Sequence, residues 1–490
     1  MASWAGKVEL LQMICREIAT TIAWYSESLW INSWKIRESP LQSNWSRMKP
    51  RRKNLQRKKS NSAPKIFASL KVKIAGIAFG GDGIARLDGK VYFVADALPG
   101  QTVEIEVYED KERFAKARLL HLIEEAPFAA IAPCLYTDRC GGCQWQKAPY
   151  EQQLAWKASF IRDALQRIGG LAADSYAFSM QASQLPYAYR NRIEVKFRIR
   201  KEGCVELGYF AKSSHQLVSI QECKIADPLI NEALAYLCHL QCPPTARDFE
   251  GSLELQTVQG ENGYHVLLFA DHWPSAVWQL LLKGIEQVPW LKDHVLLDRK
   301  AFVLLETWQG LKFHTRAGQF QQVNLPANRF LRQWVLDIAK KNQVKTAVDL
   351  YCGSGNLSLA LAREKIQVFG VESYGPSIEA ARYNRQINHL NGYAEYETGD
   401  AQDIRLLFPT LPKVDLMIVD PPRSGMTEAI GPLLEIDARH LIYVSCDPNT
   451  LARDLKRLVA EGYQLESVMG LDFFPQSYHV ETVCLLRKIE

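Results

Sequence analysis

Cysteine is scarce in this chain: 11 among 490 residues, too few for a disulfide scaffold. No uninterrupted apolar run reaches the ~20 residues that a membrane-crossing helix needs. The first 46 residues carry tryptophans and isoleucines, but Glu9, Arg16, Glu17 and Glu27 break every apolar stretch. They also lack the compact apolar region after a basic start that marks a signal peptide. The expectation is a cytoplasmic chain with no membrane partner. Charge of one sign is lacking too, because 59 Lys and Arg against 54 Asp and Glu leave a net charge of only +5. That balance does not argue for nucleic acid. Its distribution says more: residues 47–59 (RMKPRRKNLQRKK) hold basic residues and no acid, which reads as a disordered basic arm or as a solvated tail. Residues 1–47 receive no role, and Met48 is a candidate start that would make them a translation extension. There is no fixed-period repeat, and no low-complexity segment beyond the arm.

What is present divides the chain into parts, since 490 residues exceed one hydrophobic core. Residues 66–125 hold period-two stretches (SLKVKIAG, GKVYFVADAL, QTVEIEVYED, RFAKARLLHLI) separated by glycine turns, as in a five-stranded OB-like barrel. A cysteine group follows, then EQQLAWKASFIRDALQRIGG, whose apolar spacing predicts a helix that stops at Gly169 and Gly170. Residues 186–320 read as mainly β. In YRNRIEVKFRIR one strand face can bury while Arg192, Lys196, Arg198 and Arg200 line outward positions. From about residue 330, KTAVDLYC, QVFGVES, VDLMIVD and HLIYVSC are apolar strands separated by helical stretches. That alternation implies an α/β, doubly wound, mostly parallel sheet.

VDLYCGSGNLSLALA (348–362) is a strand, a glycine turn and a helix. Gly353 and Gly355 permit a tight turn and close approach of a ligand. Glu372 ends the next strand, where an acid can accept from two ribose hydroxyls. A dinucleotide site would want a glycine at 358, which is Ser358, and no Walker lysine follows. Nothing here cradles phosphate, which suits S-adenosylmethionine. A nicotinamide reading survives on this turn alone.

Two further strand ends carry chemistry. MIVDPPR (417–423) resembles the Asp/Asn-Pro-Pro turn of nucleic-acid base methyltransferases, but Arg423 stands where amine-methylating enzymes have a stacking aromatic. LIYVSCDP (441–448) ends in Cys446, a side chain that more often fills a core than reacts. A thiol is nevertheless what uracil C5 methylation requires. C5 is too weak a nucleophile until a thiolate adds at C6 and makes an enolate, and a base must later remove the C5 proton. The helix start at Asp447–Pro448–Asn449–Thr450 is expected to help ionise the thiol. Glu481, in HVET (479–482), is the candidate base.

With FQQVN (320–324), DLYCGSGN (349–356), VES (371–373), DPPR, VSCDP and HVET in that order, the chain resembles the bacterial RNA uracil-C5 methyltransferases over residues 66–485. The resemblance implies a C-terminal Rossmann-like methyltransferase domain at 326–490, a TRAM barrel for RNA at 66–125, and a mixed, mainly β central domain at 126–325. Residues 1–65 remain an unassigned extension. It implies Cys446 as nucleophile, Glu481 as proton acceptor, and Gln322, Tyr351, Asn356, Glu372, Asp400 and Asp420 around the S-adenosylmethionine and target base. Cys134, Cys140, Cys143 and Cys223 could by spacing hold zinc or an iron–sulfur cluster; the resemblance implies a [4Fe-4S] cluster. Enzymes of the transfer-RNA T loop typically lack the barrel and cluster, whereas those acting on 23S ribosomal RNA, the RlmD type, often carry both. The expected substrate is therefore an unstacked uridine of 23S rRNA, with the tRNA T loop as alternative and monomeric action. A reading of another class is a non-catalytic RNA-binding assembly factor.

Overall fold

The computed structural model describes residues 69–489 apart from 213, 240–243, 245–247, 261–262, 272–275, 277, 280–289, 291–293 and 297–301. The basic arm and the rest of the 1–65 extension lie outside the described residues. Five strands, β1 (Leu70–Ile77), β2 (Gly83–Leu87), β3 (Lys90–Ala95), β4 (Thr102–Asp110) and β5 (Phe114–Glu124), close a barrel in the order β1-β2-β3-β5-β4. Alternation fills it: Val103, Ile105 and Val107 of β4 point inward, while Glu106 pairs outward with Arg118 of β5. The four stretches read from the sequence correspond to β1, β3, β4 and β5. The fifth strand, β2, begins at Gly83, which reads as a turn residue. The glycine is needed there because a Cβ would meet the Ala97 carbonyl oxygen at 2.7 Å.

Helix α1 (Tyr150–Arg167) and strand β6 (Ala177–Gln181) follow. Next come β7 (Arg192–Ile199), β8 (Val205–Phe210), β9 (Leu217–Ser219), α2 (Pro228–Leu237), β10 (Phe249–Gly260), β11 (Gly263–Asp271) and β12 (Val295–Leu296). The central sheet has the order β12-β11-β10-β7-β8-β9. Ile193, Val195, Phe197 and Ile199 bury one face of β7. The cations on its other face are partnered by acids: Arg192 by Glu254 at 3.9 Å, Lys196 by Glu194 at 2.5 Å, Arg198 by Glu250 at 2.5 Å, and Arg200 by Glu206 and Asp248 at 3.2 and 3.3 Å.

A hairpin, β13 (Val303–Trp308) and β14 (Leu311–Thr315), and helix α3 (Leu325–Lys341) lead into the C-terminal sheet. Its strands β15 (Thr346–Leu350), β16 (Gln367–Glu372), β17 (Ala394–Thr398), β18 (Leu416–Val419) and β19 (His440–Ser445) are parallel. They alternate with α4 (Ser358–Arg363), α5 (Gly375–Ile387) and short helices, and α6 (Pro448–Ala460) follows β19. Then β20 (Tyr463–Leu471) and β21 (Glu481–Lys488) pair antiparallel, giving the order β17-β16-β15-β18-β19-β21-β20-β6. Every residue of β15, β18 and β19 is buried, as expected for strands covered on both faces. This is the doubly wound, mostly parallel sheet expected from the strand–helix alternation.

The region at 126–325 is divided: its six-stranded sheet has a core of its own, while α1 and β6 pack with the C-terminal sheet. Strand β6 extends the C-terminal sheet at its β20 edge, and Ile161, Ala164 and Leu165 of α1 join the core that also holds Leu451, Leu455 and Leu458 of α6. The reason is local: apolar residues on α1 recur at helical spacing, and the β20 edge would otherwise be unpaired.

Candidate active site

In a parallel α/β sheet the chemistry collects at the carboxyl ends of the strands. Here Tyr351 follows β15, Glu372 ends β16, Asp400 lies just past β17, Asp420 follows β18 and Cys446 follows β19. Strand β21 runs the other way, so its first residue lies at this same edge. Its register pairs Thr482 with Ser445, which sets Glu481 across from Cys446. Leu350 is paired with Val419, which brings Tyr351 beside Asp420. One fold edge thus gathers six of the residues read from the sequence.

The turn after β15 is held from several sides. Tyr351 takes a left-handed φ of 63°, a conformation rare for an aromatic residue. Gly353 and Gly355 have φ of 55° and 81°. A Cβ on Gly355 would press to 2.9 Å from the Tyr396 hydroxyl, whereas one on Gly353 would meet nothing; Gly355 packs and Gly353 leaves open space. The Glu372 carboxylate accepts from the Gly353 amide at 3.3 Å and from the Tyr374 amide at 2.8 Å. Asp349, which the sequence reading did not single out, is buried beside Ser358, and burial pushes its carboxyl up to about 7. The Asn356 amide is tied to α3: it exchanges hydrogen bonds with Asn328 at 2.9 and 2.8 Å and accepts from the buried Arg332 guanidinium. It shapes the turn through α3. Gln322 is half-buried on the strap into α3, and that strap is fixed by Asn324, which caps α3 and donates to the Phe473 carbonyl at 3.1 Å.

A cavity of about 460 Å³ opens between these strand ends, lined by Tyr351, Asp400, Gln402 and residues 424–429. Its lining contains no lysine or arginine, so it holds nothing that would seek a phosphate.

Around Cys446 three charged groups converge. Arg423 hydrogen-bonds the thiol and favours its ionisation, while Glu481 and Asp420 oppose it. Burial is the largest influence and pushes the thiol up to about 11. Glu481 is buried and pushed up to about 8 by desolvation and by Asp420. Asp420 is pushed up to about 7 by burial, with Glu372 adding to it. The helix N-terminus expected to help this thiol has an acceptor of its own. Asp447 caps α6 with its own carboxylate, accepting from the amides of Asn449 at 2.8 Å and Thr450 at 3.4 Å. Those amides are therefore spent, and the cation that serves Cys446 is Arg423. The sequence signal was the arginine following the prolines, read there only as the lack of a stacking aromatic.

The loop that delivers Glu481 is tied to α1. Lys157 and Asp472, both fully buried, pair at 2.7 Å, and Lys157 also donates to the Phe474 carbonyl at 3.0 Å. The Tyr150 hydroxyl donates to Asp472 at 2.9 Å. Gln153 and Gln476 exchange two bonds of 2.9 Å. Neither Lys157 nor Asp472 was singled out beforehand. The available signal was a lysine on the apolar face of α1.

Cys134, Cys140, Cys143 and Cys223 line one cavity of about 120 Å³ together with Arg190. Among the described residues no three His, Cys, Asp or Glu side chains are gathered as for a metal ion.

The match to known proteins agrees with this geometry. Residues 301–489 match the family described as tRNA (Uracil-5-)-methyltransferase, and residues 65–120 match the TRAM domain. An RNA methyltransferase of Thermosynechococcus vestitus, described as uncharacterized, is 33% identical over 455 residues, covering 86% of this chain and 98% of the relative. The 23S rRNA (uracil(1939)-C(5))-methyltransferase RlmD of Pseudomonas putida is 32% identical over 438 residues, covering 87% of this chain and 95% of that protein. The chain belongs to the RNA uracil-C5 methyltransferase family. It is thus an enzyme of that class, with an RNA substrate and an N-terminal TRAM barrel. A solved tRNA (uracil-54, C5)-methyltransferase of Pyrococcus abyssi, in complex with S-adenosyl-L-homocysteine, superposes with a TM-score of 0.61 at 22% identity, over 85% of this chain and all of that one. That likeness shows the fold. Among the described residues no helix is long and apolar enough to cross a membrane.

Proposed function

We propose that this enzyme transfers a methyl group from S-adenosylmethionine to C5 of a uridine in 23S ribosomal RNA, through transient addition of Cys446 to C6. The observation that carries the reading is the β19–β21 register, which sets Glu481 across from a thiol hydrogen-bonded by Arg423. The cationic guanidinium favours the thiolate, which adds at C6 and leaves electron density at C5. When bound, S-adenosylmethionine supplies an electrophilic methyl group. Glu481 then takes the C5 proton, and the electron pair left behind expels the Cys446 sulfur from C6, restoring the ring and the free thiolate. The buried carboxylate is a strong base once ionised, because burial has raised its proton affinity.

The cofactor fits the cavity beside Tyr351 and Asp400 on two grounds: its ~460 Å³ suits a nucleoside-sized ligand, and its lining lacks cations. Glu372, whose carboxylate braces the Gly353 amide, is placed for ribose hydroxyls; Asp420 lies between cofactor and target base.

The four-cysteine cavity fits a [4Fe-4S] cluster. The four cysteines line one cavity, and among the described residues no three are gathered as for a single metal ion. Sulfurs gathered on one zinc would lie within ~4 Å of one another, since each Zn–S bond is ~2.3 Å. Arg190 lines the same cavity, and its Nε has no partner, so a negatively charged thiolate cluster would compensate a buried cation. Burial and the neighbouring thiols push Cys143 up to about 12, so this thiol stays neutral until a metal group claims it. The cluster, when bound, would hold the loop at 134–143 against β8 and Cys223.

The RNA identity rests on relatives named for 23S rRNA. The barrel does not by itself separate the alternatives, because the tRNA-acting P. abyssi enzyme covers 85% of this chain; the T loop remains the alternative. Incubation with unmodified 23S fragments, tRNA and labelled S-adenosylmethionine tests both. Label in 23S rRNA as 5-methyluridine is expected; label in tRNA alone transfers the assignment; no label in either returns the chain to a binding role.

A further inference from the structure

Helix α6, which begins immediately after Cys446, carries a buried carboxylate with no place in the steps above. Asp454 is 1% exposed. A buried charge is costly unless its oxygens are satisfied, and here they are. One accepts from the Met426 amide at 2.9 Å and the Tyr443 hydroxyl at 2.7 Å; the other pairs with Arg453 at 2.9 Å. Two neighbours on the same helix face continue the pattern. Arg453 donates to the Ser424 carbonyl at 2.8 Å, and Arg457, one turn on, donates to the Thr427 carbonyl at 3.1 Å. All three partners, 424, 426 and 427, belong to the segment that forms one wall of the 460 Å³ cavity, opposite Tyr351, Asp400 and Gln402.

The wall is cut to fit this clamp. Gly425 has φ of 75°, and a Cβ there would lie 2.4 Å from an Asp454 oxygen and 2.5 Å from Arg453. Tyr443 is on β19, three residues before Cys446, and Arg423, the partner of the thiol, directly precedes the clamped segment. Strand β19, the nucleophile, helix α6 and the cavity wall therefore form one braced unit.

We propose that Asp454 is a positioning residue: it fixes the wall at 424–429 in the shape that binds the cofactor, in register with Cys446. This rests on reading the cavity as the S-adenosylmethionine pocket. It assigns Asp454 an effect on cofactor affinity and none on the proton transfers. A residue that only stabilised the fold would lower the melting temperature or the active fraction, leaving the KM of the surviving enzyme unchanged.

The test is calorimetric titration of the full chain with S-adenosylhomocysteine, beside steady-state kinetics in S-adenosylmethionine. Asp454→Ala should weaken S-adenosylhomocysteine roughly tenfold or more and raise the KM for S-adenosylmethionine alike, with kcat within about threefold of wild type, as for lost uniform binding. Asp454→Asn, which keeps an acceptor for the Met426 amide, should recover most of the loss. Arg457→Ala removes only the Thr427 contact and should weaken binding about threefold. It also serves as the reading should Asp454→Ala not fold. Wild-type affinity in Arg457→Ala, or in folded Asp454→Ala, overturns the proposal alone. A wild-type protein that binds no S-adenosylhomocysteine overturns the cofactor reading and the proposal with it.

Discussion

Two cysteine sites lie within one chain and face opposite demands. Cys446 is a single thiol with a guanidinium at its sulfur and carboxylates nearby. The other site gathers four thiols, and at Cys140 and Cys143 the neighbouring thiols add to burial in resisting ionisation. Burial raises Cys446, Cys140 and Cys143 alike, yet the remedy differs. Cys446 needs only a transient negative charge, which one arginine can stabilise beside a base that later accepts a proton from the substrate. The four-thiol site would need a lasting charge that only a metal group can neutralise. A reactive thiol and a ligand thiol are thus told apart by what faces them, since burial is common to both.

Several experiments can break or sharpen this contrast. The largest effect belongs to Cys446→Ala, which should reduce methylation by a factor of a thousand or more, on the order of what loss of a covalent nucleophile removes. S-adenosylhomocysteine affinity in the same variant should match wild type in calorimetry. Next is Glu481→Gln, which should accumulate an RNA adduct on denaturing gels because elimination lacks its base. The same variant tests the burial argument. Wild-type Glu481 titrates near 8 in the fold against 4.5 as a free side chain. Between those values the folded state holds a proton that the unfolded state has lost, so stability falls as pH rises through that window. Glutamine has no such proton. Glu481→Gln should therefore be more stable than wild type at pH 9, on the order of a few kcal/mol, and equal to it at pH 4, as thermal melts would show.

Arg423→Ala should slow iodoacetamide labelling of Cys446 at pH 8 by about tenfold, one pKa unit of lost thiolate. In wild type that labelling should keep rising past pH 9, since the thiol sits near 11. At the four-thiol site, Cys140→Ser should abolish iron binding and colour in anaerobically purified protein while leaving Cys446 labelling within about twofold. The smallest effect is expected on the outer face of β7. Arg198→Ala should change RNA affinity less than about threefold, because Glu250 already pairs with that arginine and exposed pairs contribute little.

Much of this is legible in the amino-acid sequence. The strand ends bearing Glu372, Asp420 and Cys446 follow from apolar runs that stop at polar residues, because parallel strands buried on both faces leave no other pattern. Four of five barrel strands show in their alternation; β2 does not, as its first residue is a glycine required by the nearby Ala97 carbonyl. The register that sets Glu481 across from Cys446 was hidden, because antiparallel insertion of β21 between β19 and β20 is a long-range choice. So was the role of Asp447: its side chain caps the helix whose N-terminus was expected to serve the thiol. Asn356 matches its motif, but only packing reveals that its amide is committed to Asn328 and Arg332. Charges buried for positioning, such as Lys157, Asp472 and Asp454, look in sequence like surface residues, which is what most lysines and aspartates are.

The most direct test is to trap the enzyme on 23S RNA carrying 5-fluorouridine and map the linkage by peptide mass spectrometry. Fluorine in place of the C5 proton blocks the Glu481 step, so a thioether between C6 and Cys446 should persist. A linkage at any other residue, or product formation from ordinary RNA with no linkage trapped at all, would contradict the account.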